Sequence, residues 1–118
     1  MDWKDFDDLP GDEPEAQAYR VCRVEQLQEG RGRVVFAGTL KVAVFRIGDQ
    51  IYAIKNACPH AGGSLGVGRV EAMTVACPRH DWQFHLGTGA CVGRKMYSVE
   101  TFPVEVRDGE VWVEVKGS

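Results

Sequence analysis

The clearest pattern in the chain is an alternation of apolar and polar residues near its C-terminal end. Apolar residues occupy every second position from residue 102 to 106 and again from 111 to 115, and Asp108-Gly109 separates the two runs. A two-residue Asp-Gly connection between alternating runs predicts a β-hairpin with a type I′ turn. One face of this hairpin is apolar, so we expect it to be buried in the body of the domain.

Shorter apolar runs predict further strands. Residues 41–47 carry apolar side chains on both faces, which is typical of a strand covered on both sides. Gly48-Asp49 predicts a tight turn into a strand at residues 50–54. Because no stretch has a sustained helical period, the sequence predicts an all-β fold, an antiparallel sandwich or barrel. Other strands are predicted at residues 21–24, 34–36, 69–76 and 82–86, with a turn or helical loop at 25–29.

The candidate chemistry lies in a glycine-rich stretch. Cys58-Pro59-His60 and Cys77-Pro78-Arg79-His80 are separated by sixteen residues that include four glycines. A tetrahedral zinc site usually takes paired ligands with about two to four residues between them. Only one residue separates Cys58 from His60, which is tight for one ion and favours a two-iron cluster in which each loop gives one ligand to each iron. A zinc-binding structural module remains the alternative.

The spacing Cys-x-His and Cys-x-x-His resembles the signature of the Rieske [2Fe–2S] family, in which two histidines replace two cysteines on one iron. The resemblance covers residues 20–116. It implies that Cys58 and Cys77 hold one iron and that His60 and His80 hold the other. It also implies a β base with an inserted cluster-binding subdomain at about residues 53–95, within a domain that spans 19–118.

Two departures from one branch of that family narrow the expectation. Rieske proteins of respiratory complexes carry an extra, disulfide-bonded cysteine in each ligand loop, at positions where this chain has Gly63 and Arg79. They also place hydroxyl groups near the cluster, at positions where this chain has Trp82 and Phe84. Fewer hydrogen bonds to sulfur stabilise the reduced cluster less, so we expect a potential toward the lower end of the Rieske range, about −150 to +300 mV.

This pattern resembles two soluble groups. The first is the Rieske ferredoxins of ring-hydroxylating dioxygenases, which implies a free, monomeric carrier of single electrons from a flavin-dependent reductase to an oxygenase. The second is the small subunit of assimilatory NADH-dependent nitrite reductase, which implies a permanent large-subunit partner. A chain of 118 residues leaves no room for a second, mononuclear-iron domain. We therefore expect an electron carrier that does not transform a substrate alone.

Charge is unevenly placed along the chain. Residues 1–18 carry seven acids and one base, a net charge of −6, and the remainder is +3. With its prolines, this stretch predicts a loosely attached acidic arm. Trp3, Phe6 and Leu9 lie three residues apart in it, which predicts either a short helical turn on the body or a partner-docking motif.

Several partner classes are disfavoured by the same composition. The chain has no basic stripe with interleaved aromatic residues, so we do not expect nucleic acid as a partner. It has no apolar run long enough for a membrane span and no visible signal peptide. Together these features favour the cytoplasm, where cysteines stay reduced and can serve as cluster ligands.

Other residues carry smaller expectations. We expect Cys22 and Cys91 to be small buried apolar residues and His85 to be a strand residue. Glycines between the ligand pairs are expected to let the backbone approach the sulfur atoms. A basic rim near the metal site is expected to meet an acidic patch on a partner. These glycines are Gly62, Gly63, Gly66 and Gly68, and the rim residues are Arg69, Arg79, Arg94 and Lys95.

Overall fold

The computed structural model describes residues 16–59 and 62–116. The described residues form ten β-strands and two single-turn 3-10 helices, at Val24–Gln26 and Leu65–Val67. The prediction of an all-β fold is confirmed. Residues 1–15 of the predicted acidic arm, with Trp3, Phe6 and Leu9, lie outside the described residues, as does His60. Residues 16–18, the end of the arm as predicted, instead begin the first strand, Ala16–Arg23. The strands are β1 (Ala16–Arg23), β2 (Gly32–Ala37), β3 (Leu40–Ile47), β4 (Gln50–Lys55), β5 (Arg69–Glu71), β6 (Thr74–Ala76), β7 (Gln83–His85), β8 (Thr101–Phe102), β9 (Val104–Arg107) and β10 (Glu110–Lys116).

Within the described residues the strands form three antiparallel sheets. Two of them have the orders β9-β10-β1 and β2-β3-β4-β8, and the third is the small sheet β5-β6-β7. The small sheet comes from the chain between the two candidate ligand pairs and just after the second. The second candidate ligand pair therefore lies between β6 and β7 of the small sheet, whereas the first pair follows β4 of the four-stranded sheet.

Strand β3 separates two apolar cores, as its two-faced pattern predicts. The side chains of Val42 and Val44 are fully buried in one core, and those of Ala43 and Phe45 are fully buried in the other. We call the first the base core; it also holds Cys22, Val111 and Val113. We call the second the site core; it also holds Ile54, Phe84, Cys91 and both candidate thiol ligands. One strand thus links the body of the fold to the metal site.

The prediction of one strand at residues 69–76 is wrong. The segment is a hairpin, in which β5 and β6 pair antiparallel with Val70 opposite Val75. The chain reverses at Ala72, which takes a left-handed conformation with φ 51°. Alanine rarely adopts that conformation, so no turn residue marked the reversal in the sequence.

The C-terminal hairpin has the predicted turn but not the predicted length. Asp108 and Gly109 have φ of 51° and 78°, as a type I′ turn requires. Pro103, which has no backbone N–H, divides the first run. Phe102 on its N-terminal side pairs with Ala53 of β4, whereas β9 on its C-terminal side pairs with β10. The expected burial of the whole apolar face is wrong for Val106, which lies near the turn and is 48% exposed.

Candidate metal centre

The first ligand loop follows β4 and is closed by its own backbone. The Cys58 N–H donates to the carbonyl of Gly63 at 2.9 Å, and the Gly62 N–H donates to the carbonyl of Cys58 at 2.8 Å. Ala57 and Ser64 form an antiparallel bridge across the neck of the loop. The Cys58 side chain is consequently held in the site core, where the residue is 3% exposed.

Asn56 hydrogen-bonds this loop to the segment that follows the loop. Asn56 is not among the site residues predicted from the sequence. It is the one polar residue buried among the described residues. Its Oδ1 accepts the Gly66 N–H at 2.8 Å, its Nδ2 donates to Ser64 Oγ at 3.0 Å, and its carbonyl accepts the Leu65 N–H at 2.8 Å. The signal in the sequence is a lone amide between the apolar end of β4 and Cys58.

The second ligand loop turns the thiol inward and the imidazole outward. The Cys77 N–H donates to the carbonyl of Trp82, and the Asp81 N–H donates to the carbonyl of Cys77, both at 2.8 Å. Asp81 takes a left-handed conformation, φ 59°, at the end of the loop. Cys77 is fully buried, whereas Pro78, Arg79 and His80 are exposed.

The two loops meet at Gly63. A Cβ added to Gly63 would lie 2.9 Å from Cys77 Sγ and 3.1 Å from Arg79 Cγ. Only glycine therefore leaves room for the thiol and the arginine stem. The expected approach of glycine backbone to sulfur is confirmed here, but the nearest neighbours of Gly66 and Gly68 are other atoms. A Cβ on Gly66 would meet Val34 Cγ2, and a Cβ on Gly68 would meet the carbonyl of Ala76.

Three of the four predicted rim arginine and lysine residues contact the ligand loops. The stem of Arg79 packs on Gly63, and Arg69 Nη1 lies 4.0 Å from a carboxylate oxygen of Asp81. The guanidinium of Arg94 lies 4.1 Å from the centroid of the Trp82 ring. Lys95 follows Arg94 and is exposed. The predicted clustering of positive charge beside the second ligand loop is therefore confirmed for the arginines.

The remaining cysteines and His85 have the expected structural roles. Cys22 and Cys91 are buried, at 6% and 5% exposure, and all four cysteines of the chain are free thiols. Burial raises the pKa of the Cys22 and Cys91 thiols, and Arg33 and Arg94 respectively oppose that shift. In β7, His85 Nδ1 accepts the N–H of Gly87 at 3.1 Å.

A model of the Rieske-like [2Fe–2S] domain matches residues 17–114 of the chain. The chain belongs to the Rieske [2Fe–2S] family. Among its relatives is Ferredoxin CarAc of Metapseudomonas resinovorans, which is 35% identical over 96 residues, 80% of this chain and 90% of the relative.

Solved structures agree with this assignment. A chain of the complex of reduced oxygenase and oxidized ferredoxin in carbazole 1,9a-dioxygenase is 33% identical, with a TM-score of 0.77 over 86% of this chain and 95% of that one. A protein of Mycobacterium tuberculosis described as an NADH-dependent nitrite reductase small subunit is 26% identical, with a TM-score of 0.81 over 88% of this chain and 99% of that one.

As a Rieske protein, the chain carries a Rieske-type [2Fe–2S] cluster and transfers electrons. The residues that the structure describes fit that cofactor. Two buried thiols lie in one apolar core, and His80 is exposed at the third position after Cys77. The close approach of Gly63 to Cys77 Sγ leaves the first loop without a side chain at the point where the loops meet.

The structure brings some of the predicted site residues together. Cys58 and Cys77 share the site core, and His80 lies at the exposed end of the second loop. His60 remains a prediction because it lies outside the described residues. Among the described residues, no three His, Cys, Asp or Glu side chains converge on one metal-sized site. In the same part of the chain, no helix is long and apolar enough to cross a bilayer.

Proposed function

We propose that this Rieske protein is a ferredoxin that passes single electrons from a flavin-dependent reductase to an oxygenase. The observation that carries the proposal is the second ligand loop, in which a fully buried thiol is followed after three residues by an exposed imidazole. That arrangement suits a redox centre that a buried thiol ligand fixes in the protein and that an electron-transfer partner can approach at the exposed imidazole. Two relatives support an oxygenase as the acceptor, because they are ferredoxin components of dioxygenases.

The proposed ligands are Cys58 and Cys77 for one iron and His60 and His80 for the other, within a cluster-binding subdomain at about residues 53–95. The bound cluster supplies a site that takes up and releases one electron at a time. Cys58 and Cys77 would give the iron two thiolate ligands inside the buried apolar site core. Imidazole ligands in place of two further thiolates make the net charge of the site less negative. The His80 imidazole lies at the solvent surface.

The basic rim has a proposed role in docking. Arg69, Arg79 and Arg94 place exposed positive charge beside the second loop, and the exposed Lys95 follows Arg94 in the chain. Asp81 offsets part of this charge. A partner with an acidic patch around its electron-accepting site would be attracted to this end, and the attraction would weaken as salt screens it. Charge reversal at Arg79 should therefore slow electron delivery most at low ionic strength.

Spectroscopy of ligand variants tests the proposed function. After anaerobic reconstitution, the wild-type protein should contain acid-labile sulfide and give visible absorbance and a low-temperature EPR signal when reduced. Replacement of Cys58, Cys77, His60 or His80 with alanine should abolish that signal. The matched control is His85→Ala, which removes an imidazole from β7 and should leave the signal unchanged. A coloured, sulfide-containing protein after both His60→Ala and His80→Ala would contradict the proposed ligands.

A second candidate is the small subunit of an NADH-dependent nitrite reductase. Its support is the TM-score of 0.81 with the M. tuberculosis protein, which spans nearly the whole of both chains. The two candidates differ in their assembly: a ferredoxin should be monomeric and active with a diffusing partner, whereas a subunit should co-purify with a larger reductase. Affinity purification from native extract, followed by size-exclusion chromatography, separates them.

The proposed location is the cytoplasm. The support is that Cys22 and Cys91, the two cysteines outside the proposed ligand set, are not joined in a disulfide in the described residues, as expected for a reducing compartment. Fractionation of cells that express the full chain would test this, and recovery in a membrane or exported fraction would contradict it.

A further inference from the structure

A loop that no ligand assignment uses lies against the second ligand loop. This segment, residues 92–98, which we call the flanking loop, follows Cys91 after β7. One backbone hydrogen bond lies within it, from the Tyr97 N–H to the carbonyl of Arg94 at 3.1 Å, and another joins it to Cys91, whose N–H donates to the carbonyl of Tyr97 at 3.2 Å. The Val92 N–H donates to the carbonyl of Gln83 at 2.8 Å, which ties its start to β7.

The far part of the flanking loop is exposed but two of its side chains turn back onto the site. Met96 is 90% exposed. The Arg94 guanidinium lies 4.1 Å from the centroid of the Trp82 ring, and the Tyr97 ring meets the same indole edge-on, at 4.8 Å between centroids and an interplanar angle of 68°. A cation over an indole and an edge-on aromatic pair are both attractive arrangements.

Trp82 is itself part of the second ligand loop. Its carbonyl accepts the N–H of Cys77 and so closes the loop. Behind this contact, Cys91 at the root of the flanking loop shares the site core with Cys58 and Cys77. Trp82 is partly buried and packs against the same core, so its contact with the flanking loop lies at the edge of the core that holds the two thiols.

We propose that Arg94, Trp82 and Tyr97 form a latch that holds the flanking loop closed over the metal centre and slows the loss of its cofactor. Arg94 is a positioning residue in this latch, because it acts through the Trp82 ring. The inference rests on the proposed function, since it assumes that the two thiols are cluster ligands. It adds a role for residues that lie outside the ligand set.

The test measures how fast the cluster is lost from the full chain. Reconstituted protein is exposed to an iron chelator in air, and the decay of visible absorbance is followed. Arg94→Gln and Trp82→Leu should each lose absorbance about two- to fivefold faster than wild type, the factor that corresponds to an exposed cation–π contact. Arg94→Lys keeps the charge but not the planar guanidinium and should restore part of the protection. Trp82→Phe keeps an aromatic ring and should lie between wild type and Trp82→Leu.

The chain contains its own matched control. In the base, the Arg107 guanidinium lies 4.5 Å from the centroid of the Trp112 ring, a similar stack far along the chain from the ligands. Arg107→Gln should lose absorbance at the wild-type rate. The double variant Arg94→Gln with Trp82→Leu should be no faster than Trp82→Leu alone, because Trp82→Leu already removes the Arg94 contact together with the Tyr97 contact.

A second measurement separates the charge of Arg94 from its contact. Removal of a cation near the cluster should shift the reduction potential to a more negative value in Arg94→Gln, and Arg94→Lys should return it to the wild-type value. A wild-type decay rate in Arg94→Gln, equal acceleration by Arg107→Gln, or additive effects in the double variant would overturn the latch. A wild-type protein that never takes up a cluster would instead refute the proposed function, so the two failures are distinct.

Discussion

At the scale of single residues, the metal centre depends on positions that are not themselves ligands. Asn56 and Gly63 are two such positions, one important for its side chain and the other for its lack of one. Asn56 supplies hydrogen bonds that hold the first loop to the backbone that follows it. Gly63 contributes through its lack of a side chain, because any larger residue would crowd Cys77 Sγ. Both residues should therefore be sensitive to very small changes.

Asn56→Ala removes the side chain that accepts the Gly66 N–H and leaves that buried donor without its partner. The expected cost is about 1–3 kcal/mol in the free energy of unfolding, together with weaker retention of the cluster. Ser64→Ala is the matched control, because it removes one Asn56 contact and keeps the bond to Gly66. Denaturant titration of both variants checks this, and equal stabilities would show that the Gly66 bond contributes little.

Gly63→Ala should impair cluster loading, because the new methyl group would lie 2.9 Å from Cys77 Sγ. The neighbouring glycine provides the comparison: Gly62 has φ 70° and nothing within 4 Å of an added Cβ. Gly62→Asn tests the loop without crowding, since asparagine tolerates the left-handed conformation. Iron and sulfide content after reconstitution should fall for Gly63→Ala and stay near wild type for Gly62→Asn. Equal loading of both would count against the crowding argument.

At the scale of elements, one strand can serve two cores because its successive side chains point in opposite directions. In β4, Ile54 is fully buried in the site core, whereas Ile51 packs against the base core from a half-buried position. The two isoleucines are three residues apart on the same strand. They allow the two cores to be perturbed separately with the same substitution.

Ile54→Val should lower the free energy of unfolding by about 0.5–1.5 kcal/mol and speed the loss of the cluster, because the lost methyl group borders the core of the thiols. Ile51→Val should cost less, since the side chain is only partly buried, and should leave cluster retention unchanged. Thermal unfolding and absorbance decay on the two proteins give the comparison. Faster cluster loss in Ile51→Val than in Ile54→Val would show that the two cores are not separate.

The sequence predicted these elements unevenly, for physical reasons that differ from place to place. The two-faced pattern of residues 41–47 and the Asp108-Gly109 turn predicted β3 and the last hairpin because periodicity and left-handed turn residues are local signals. The reversal at Ala72 carries no such signal. The pairing of Phe102 with Ala53 could not be predicted either, because contacts between distant strands depend on the whole fold.

The same limit applies to the metal centre. The spacing of Cys58, His60, Cys77 and His80 and its resemblance to the Rieske signature predict these four ligands, and the burial of the two thiols and the exposure of His80 fit that prediction. Arg94 and Tyr97 contact Trp82 although they lie at least twelve positions from it in the chain. No sequence motif predicts these contacts. The spacing of ligands is a local property, whereas the support around them is a tertiary one.

At the scale of the whole molecule, the surroundings of the cluster set its affinity for an electron. Trp82 and Phe84 have no hydroxyl group, so neither side chain can donate an O–H hydrogen bond to a cluster or ligand sulfur. We expect a midpoint potential toward the lower end of the range of about −150 to +300 mV. Redox titration monitored by visible absorbance measures it, and a strongly positive value would contradict the expectation.

The shared strand β3 also bears on any attempt to move this redox centre into another protein. A graft limited to residues 53–95 would leave behind Ala43 and Phe45, which form one wall of the core around the thiols. In the transplanted segment, the surface that now packs against the Phe45 ring would be exposed to water. A portable electron-transfer cassette made from this chain would have to begin at Leu40, or the recipient scaffold would have to supply an equivalent wall.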